Sequence, residues 1–342
     1  MKKKISIYDI ARDMSVSSAT VSYVLNGKAA EKRISKGLEE RILAHARELG
    51  YRPNMIAKSL RTGKTKIIGM LVEDISDPFF SSIAKVVEER AAQLGYRIFY
   101  CSTENDTTLT KGLLRVFRDA QVDGYIIAPP PGLEQDLQEL QEDGYPVVLF
   151  DRFFDGLETA NVVTDNFDGA YQAIRHFVEN GCQQIGFITL DSEQVQMQDR
   201  LSGYDKAMEQ SGLESLVLKV PYEIKHRNAA GKIKTFLEDN SHLEAVLFAT
   251  NYLAIAGLEV MNDLHMQAPA DLSVISFDDI KYFSLFSPSV TAVAQPVEAI
   301  SEAVIQQLID CLESSGTLEK KTTVLPVNLV VRASSSPVLA VR

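Results

Sequence analysis

From Ile67 onward, short Val/Ile/Leu-rich runs alternate with helical patterns, and the whole rhythm restarts once. Ile67–Val72, Arg97–Ser102, Gly124–Ala128 and Pro146–Phe150 read as strands, with helices near 80–94, 110–120 and 133–142 between them. A second set follows at Gln184–Thr189, Leu216–Val220, Glu244–Ala249 and Leu272–Phe277, with helices near 168–180, 199–211, 228–239 and 252–265. Strands that are apolar throughout must be covered on both faces. Joined through helices, they form parallel sheets wound by right-handed crossovers. Two such sets predict two α/β lobes. A helix near 297–314 and strands within Thr322–Val331 are long enough to cross back and complete both.

The first 66 residues follow a different pattern. Residues 6–26 read as two short helices joined by a tight turn. Ser6 with Asp9 forms a capping-box pattern at the first helix, and Ser17 is placed to cap the second. Ile7, Ile10, Ala11 and Met14 share one helical face, as do Val21, Val24 and Leu25. Ser17, Ser18, Ala19, Thr20, Ser22 and Tyr23 then cluster at the start of the second helix, where small hydroxyl side chains allow close approach to phosphates and base edges. A third helix is expected from Ser35 to Leu49. Its buried stripe is Leu38, Ile42, Leu43, Ala46 and Leu49, and Gly50 stops it. Asn54 to Gly63 carries roughly two turns of helix pattern, below the ~12–15 residues at which an isolated helix holds in water.

Charge divides the chain at the same place. The whole sequence has 35 Lys+Arg against 46 Asp+Glu, a net charge of −11. Residues 1–66 carry 15 basic and 6 acidic side chains, so the head is +9; the remaining 20 basic and 40 acidic side chains make the body −20. A compact basic module on an acidic body is the electrostatic footprint of a DNA-reading head on a regulatory domain.

Other classes find little support. Met-Lys-Lys-Lys at the start is followed by Ser6, Tyr8, Asp9, Arg12 and Asp13 rather than an apolar run, so a secretion signal is not expected. No apolar stretch of about 20 residues is present to cross a bilayer, and a cytoplasmic location is expected. Cys101, Cys182 and Cys311 are scattered and odd in number, and the five histidines form no ligand pair. Neither a GxxxxGK[ST] loop nor a GxGxxG after the first strand occurs. No Ser/His/Asp or Cys/His group marks a nucleophile. The chain reads as a non-enzyme that needs no cofactor or metal.

Tyr8-Asp9-Ile10-Ala11, Val16-Ser17, Thr20-Val21-Ser22 and Asn26-Gly27 together resemble the helix-turn-helix of the lactose/galactose repressor family of bacterial transcription regulators. Tyr51-Arg52-Pro53-Asn54, Ala57 and Ser59-Leu60-Arg61 continue the resemblance, which spans nearly the whole chain. It implies an α/β protein with an N-terminal three-helix head (1–52), a hinge helix (53–66) and a two-lobed periplasmic-binding-protein-like domain with parallel sheets (67–336). Lobe one would comprise about 67–165 and 296–325, and lobe two about 166–295 and 326–336.

The resemblance also implies roles. Tyr8, Ser17, Thr20, Ser22 and Asn26 would hold phosphates, while Ser18, Ala19 and Tyr23 would meet base edges of the major groove. Asn54 lies in the matching hinge stretch; Leu60 would wedge into the minor groove, with Ala57 and Arg61 lining it. Ser15 departs from the glycine that the family often has in the turn. In the body, effector residues are expected at strand ends facing the cleft: Asp77 with Phe79 and Phe80, Asp151-Arg152, Asp165, Arg200 of an Arg-x-x-Gly motif, Phe248 with Thr250-Asn251, and Asp278. Thr250-Asn251 stands where many members carry Asn-Asp. Carboxylates, Arg and Asn beside aromatics suit a hydroxyl-rich ring. The expected partners are duplex operator DNA of pseudo-palindromic sequence, a sugar or sugar derivative ahead of a nucleobase or nucleoside, and a second copy of the chain, with no membrane. A repressor is expected. The alternative is a solute-binding module without DNA function.

Overall fold

A computed structural model describes residues 5–51, 63–222, 229–314 and 320–336. It divides into two compact units, Met1–Thr65 and Lys66–Arg342. The expectations for Asn54, Ala57, Leu60 and Arg61 lie outside the described residues.

The first unit holds three helices, α1 (Ile7–Asp13), α2 (Ser18–Leu25) and α3 (Lys36–Glu48). The Ser6–Asp9 capping box is present in both directions, and the Ser17 hydroxyl accepts from the Thr20 amide at 3.0 Å. Ser35 occupies the N-cap of α3 but makes no side-chain cap bond. Ile10, Ala11, Val21, Val24, Ala29, Ile42 and Ala46 form the small core. Ser15 has φ 54°, a left-handed conformation that glycine adopts freely and serine adopts at a cost. This is the geometric reason for glycine at that turn position.

In the second unit two six-stranded sheets repeat one plan. The first contains β1 (Ile67–Val72), β2 (Arg97–Ser102), β3 (Gly124–Ile127), β4 (Val147–Phe150), β5 (Ala160–Thr164) and, from the C-terminal stretch, β11 (Thr322–Leu325). The second contains β6 (Ile185–Asp191), β7 (Leu216–Pro221), β8 (Ala245–Phe248), β9 (Ser273–Phe277), β10 (Thr291–Ala294) and β12 (Asn328–Val330). Their orders are β11-β5-β4-β3-β1-β2 and β12-β10-β9-β8-β6-β7. Every pairing is parallel except β10 with β12. In each sheet the first strand is flanked by the second and third, so the winding direction reverses there and a crevice opens beyond the strands' C-terminal ends.

The connecting helices are α4 (Pro78–Gln93), α5 (Thr107–Asp119), α6 (Glu134–Glu142), α7 (Asn166–Glu179), α8 (Val195–Ser211), α9 (Ala229–Asp239), α10 (Asn251–Asp263) and α11 (Val297–Ser314). The chain passes between the lobes three times, after β5, after β10 and between β11 and β12. Among the described residues, no helix is long and apolar enough to cross a membrane.

Candidate functional site

Two surfaces carry the expected residues, one in each unit. In the first, α2 buries only Val21 and Val24 against the core. Ser17 and Ala19 are exposed, and Ser18, Thr20, Ser22 and Tyr23 are half-buried. Apart from Tyr23, these residues are short, and the helix axis can come close to a partner. Tyr8, on α1, is 70% exposed, so its ring and hydroxyl are open to a partner. Asn26 closes α2 by donating to the Ser22 carbonyl at 2.6 Å, and Lys32 lies over the Tyr23 ring at 5.3 Å. All eight head residues expected at DNA are thus brought to the first two helices or their ends.

The second surface is a cleft of about 200 Å³ between the lobes. Nine of the eleven residues expected at an effector line it: Asp77, Phe79, Phe80, Asp151, Arg152, Arg200, Thr250, Asn251 and Asp278. Each stands just past a strand or in the first turns of the following helix. Asp77 caps α4, accepting from the Phe79 amide at 2.8 Å, and Thr250 caps α10. Asp151 and Asp278 occupy equivalent places, one residue past β4 and β9. Both adopt left-handed backbone, φ 67° and 71°. Their amides reach across to the neighbouring strand, Asp151 to the Val162 carbonyl and Asp278 to the Val293 carbonyl. Strain held twice at the same point of a repeated plan marks these strand ends as built for something other than stability.

The two arginines are 2% exposed. Arg152 donates to Glu73 Oε2 at 2.7 Å and to Gln194 Oε1 at 3.0 Å, with its Nε 3.5 Å from Asp151. Gln194, at the start of α8 in lobe two, also donates to Asn105 of lobe one. Tyr222 of lobe two donates to Glu73 Oε1 at 2.7 Å. The lobes are therefore linked directly by side chains on one side of the cleft. Arg200 donates to Asn166 Oδ1 at 2.8 Å and to the Ala249 carbonyl at 2.6 Å. Its guanidinium lies 3.7 Å over the Phe277 ring, and 3.9 Å from Asp278.

The other two residues stand elsewhere. Asp165 is the N-cap of α7, accepting from the Asp168 amide, and does not line the cleft. Phe248 is wholly buried in lobe two, where Gly257 gives its ring room; a Cβ there would stand 2.1 Å from the ring. Strand alternation explains this: the neighbouring backbone, through the Ala249 carbonyl, serves the cleft while the ring serves the core. Sequence reading missed Glu73, Gln194, Gln196, Tyr252 and Gln295 among the lining residues. Glu73 follows β1 directly, and its place at the winding reversal was the available signal.

Burial pushes Asp77 up to about 6, helped by the nearby Asp278 charge and opposed by hydrogen bonds from Phe79 and Asn251. Asp151 is likewise raised to about 6 by burial, partly offset by Arg152 and Arg200. These acids hold their protons more tightly folded than unfolded, so their contribution to stability is complete below pH about 4 and is withdrawn as pH rises through about 6. Asp77→Asn, which cannot ionise yet keeps a cap oxygen, should therefore raise stability at pH 7.5 by about 1–3 kcal/mol and change it little at pH 4. Urea melts at the two pH values check this; an equal effect at both removes the ionisation argument.

Residues 6–54 match the bacterial regulatory proteins of the lacI family, and residues 174–335 match the periplasmic binding protein-like domain. The chain is 32% identical to the HTH-type transcriptional regulator RegA of Clostridium saccharobutylicum, over 96% of this chain and 99% of that one. A structure of the lac repressor dimer bound to operator and the anti-inducer ONPF superimposes with a TM-score of 0.85 at 22% identity, covering 97% and 99% of the two chains. A periplasmic binding protein/LacI transcriptional regulator from Alkaliphilus metalliredigens QYMF, complexed with D-xylulofuranose, gives 0.70 at 26% identity over 79% of this chain and 98% of that one. A helix-turn-helix head and a two-lobed, cleft-bearing body define a DNA-binding transcription regulator with an effector-binding domain, not an enzyme. The chain belongs to the lacI family of bacterial regulatory proteins.

Proposed function

We propose that this regulator is a cytoplasmic repressor that binds a pseudo-palindromic operator as a homodimer and senses a sugar-like ligand in the interlobe cleft. The observation carrying the ligand reading is the convergence of carboxylates, guanidiniums, an amide and two phenylalanines on one cleft from the strand ends of both lobes. Polar groups that give and take hydrogen bonds suit hydroxyls, and aromatic faces suit the C–H side of a sugar ring. The Alkaliphilus relative is complexed with a sugar, which supports the same class here. Exposed Leu94, Phe99 and Tyr100 on lobe one, and Tyr282, Leu285 and Phe286 on lobe two, are apolar groups that a second copy would cover.

The head would read DNA through α2, with Tyr8, Ser17, Thr20, Ser22 and Asn26 at phosphates and Ser18, Ala19 and Tyr23 at base edges. Asn54, Ala57, Leu60 and Arg61 would follow in the minor groove. Operator and effector would each change the affinity for the other by the same factor. A thermal-shift panel of pentoses, hexoses, disaccharides and nucleosides, followed by operator retardation with each hit, tests the reading. A nucleoside hit with no sugar hit overturns the ligand class; a sugar hit that leaves DNA affinity unchanged overturns the sensing role.

Salt dependence tests the head separately. Log operator affinity should fall linearly with log salt, with a slope of about −0.9 per phosphate engaged. A flat response, measured by fluorescence anisotropy across a salt series, would be incompatible with phosphate binding by the basic head.

A further inference from the structure

We propose that the cleft accepts only hydroxyl-rich ligands without an anionic group, and that it rejects sugar phosphates and sugar acids. This rests on the cleft reading above and narrows it by charge. Among the described residues, the cleft is lined by five carboxylates, Glu73, Asp74, Asp77, Asp151 and Asp278, against two guanidiniums, Arg152 and Arg200. An anion needs a cation, or several N–H donors, with spare capacity.

Both guanidiniums already stand beside carboxylates of the protein, so their charge is balanced from within. Arg152 is engaged by Glu73, Gln194 and Asp151, and Arg200 by Asn166, the Ala249 carbonyl and the Phe277 face. Helix starts at the cleft are capped from within as well. Asp77 caps α4 with a carboxylate, at the place where an anion would sit, and Thr250 caps α10. Among the described residues, the first turn of α8 has no side-chain cap and is the remaining helix start at the cleft for an anion. In that turn, however, Gln196 Oε1 is buried with no hydrogen-bond partner.

The unmet needs of the cleft point the same way. Gln196 Oε1 is buried with no hydrogen-bond donor, and Arg152 Nε, 3.5 Å from an Asp151 oxygen, has no acceptor in hydrogen-bonding geometry. Hydroxyls both give and take hydrogen bonds, so they can satisfy the two groups. A phosphate dianion or a carboxylate donates none, so where it takes the place of a hydroxyl beside Gln196 it leaves that oxygen unmet. The upward push on Asp77 by burial and by Asp278 is a further sign that negative charge is already crowded here.

The test uses the full chain and matched ligand sets: ribose with ribose 5-phosphate, and glucose with glucosamine, glucuronate and glucose 6-phosphate, extended to any other sugar found in the thermal-shift panel. For each sugar that binds, calorimetry should show the phosphate ester and the acid weaker by at least about tenfold, since a like charge within a few ångströms costs on that order near a protein surface. The amino sugar should stay within a few-fold of its parent. In Asp77→Asn the penalty on the phosphate ester should shrink by about threefold or more. A phosphate ester or acid that binds as tightly as its parent overturns the inference while leaving the cleft reading standing. Failure of every sugar, amine, ester and acid to bind removes the cleft reading and the inference with it.

Discussion

Replacement of Arg152 by Met should cost about 3–5 kcal/mol of folding stability, the usual penalty for removing one partner of a buried ion pair. Arg152 and Glu73 are both buried and meet at 2.7 Å, and Asp151 lies 3.5 Å from the same guanidinium. Burial works against the Arg152 charge, yet Glu73 and Asp151 together hold it above its ordinary range. Without the cation, two carboxylates remain in a place that water reaches poorly. Adding Glu73→Gln to Arg152→Met should restore part of the loss, because it removes one of the stranded charges. Urea unfolding at pH 7 separates the outcomes. A single-variant cost below about 1 kcal/mol would show that the pair is screened as a surface pair is.

Gly203→Ala should destabilise by about 3 kcal/mol, at the upper end of ordinary overpacking. The reason is close approach, since Gly203 has no left-handed φ. A Cβ on Gly203 would stand 2.2 Å from the Phe167 carbonyl oxygen and 3.1 Å from the Tyr171 nitrogen, both backbone atoms of α7. Backbone cannot rotate away as a side chain can, so α7 and α8 would have to separate. That would move Arg200, on α8, away from Asn166, on α7. Gly112→Ala is the control, because it lies in α5 with nothing within 4 Å of its Cβ position. There the same change should stabilise by about 0.5–1 kcal/mol. Equal effects at the two sites, read by thermal melts, would remove the close-packing argument.

Gly203 also shows how much of this molecule was legible in the chain. The Arg-x-x-Gly motif drew attention to Arg200 as a ligand group, but the glycine's role depends on a helix more than thirty residues earlier and could not be read locally. The central apolar strands were found because Val, Ile and Leu fill them on both faces, as in Ile67–Val72, where expected and observed ends coincide; the ends also coincide at the more exposed edge strand Arg97–Ser102. β5 escaped because Asn161 and Thr164 break its apolar run; Asn161 is buried and satisfied by Thr159 and Thr322. β10 escaped because Thr-Ala-Val-Ala holds a single branched apolar residue and so gives almost no apolar run. In the cleft, the charged residues at strand ends were legible. Gln194 and Tyr222, which tie the lobes together, were not, because their partners come from the other lobe.

The three passages of the chain between the lobes matter most while the protein is being made. The sheets receive β11 and β12 from the last part of the chain, so neither lobe is finished until residues 322–330 have left the ribosome. The head, a separate unit with its own small core, can fold long before that. A premature stop between 297 and 321 would therefore spoil both halves of the sensor at one stroke and leave the DNA reader whole. Quality control of such a chain must act on an unfinished sensor that already carries a finished head.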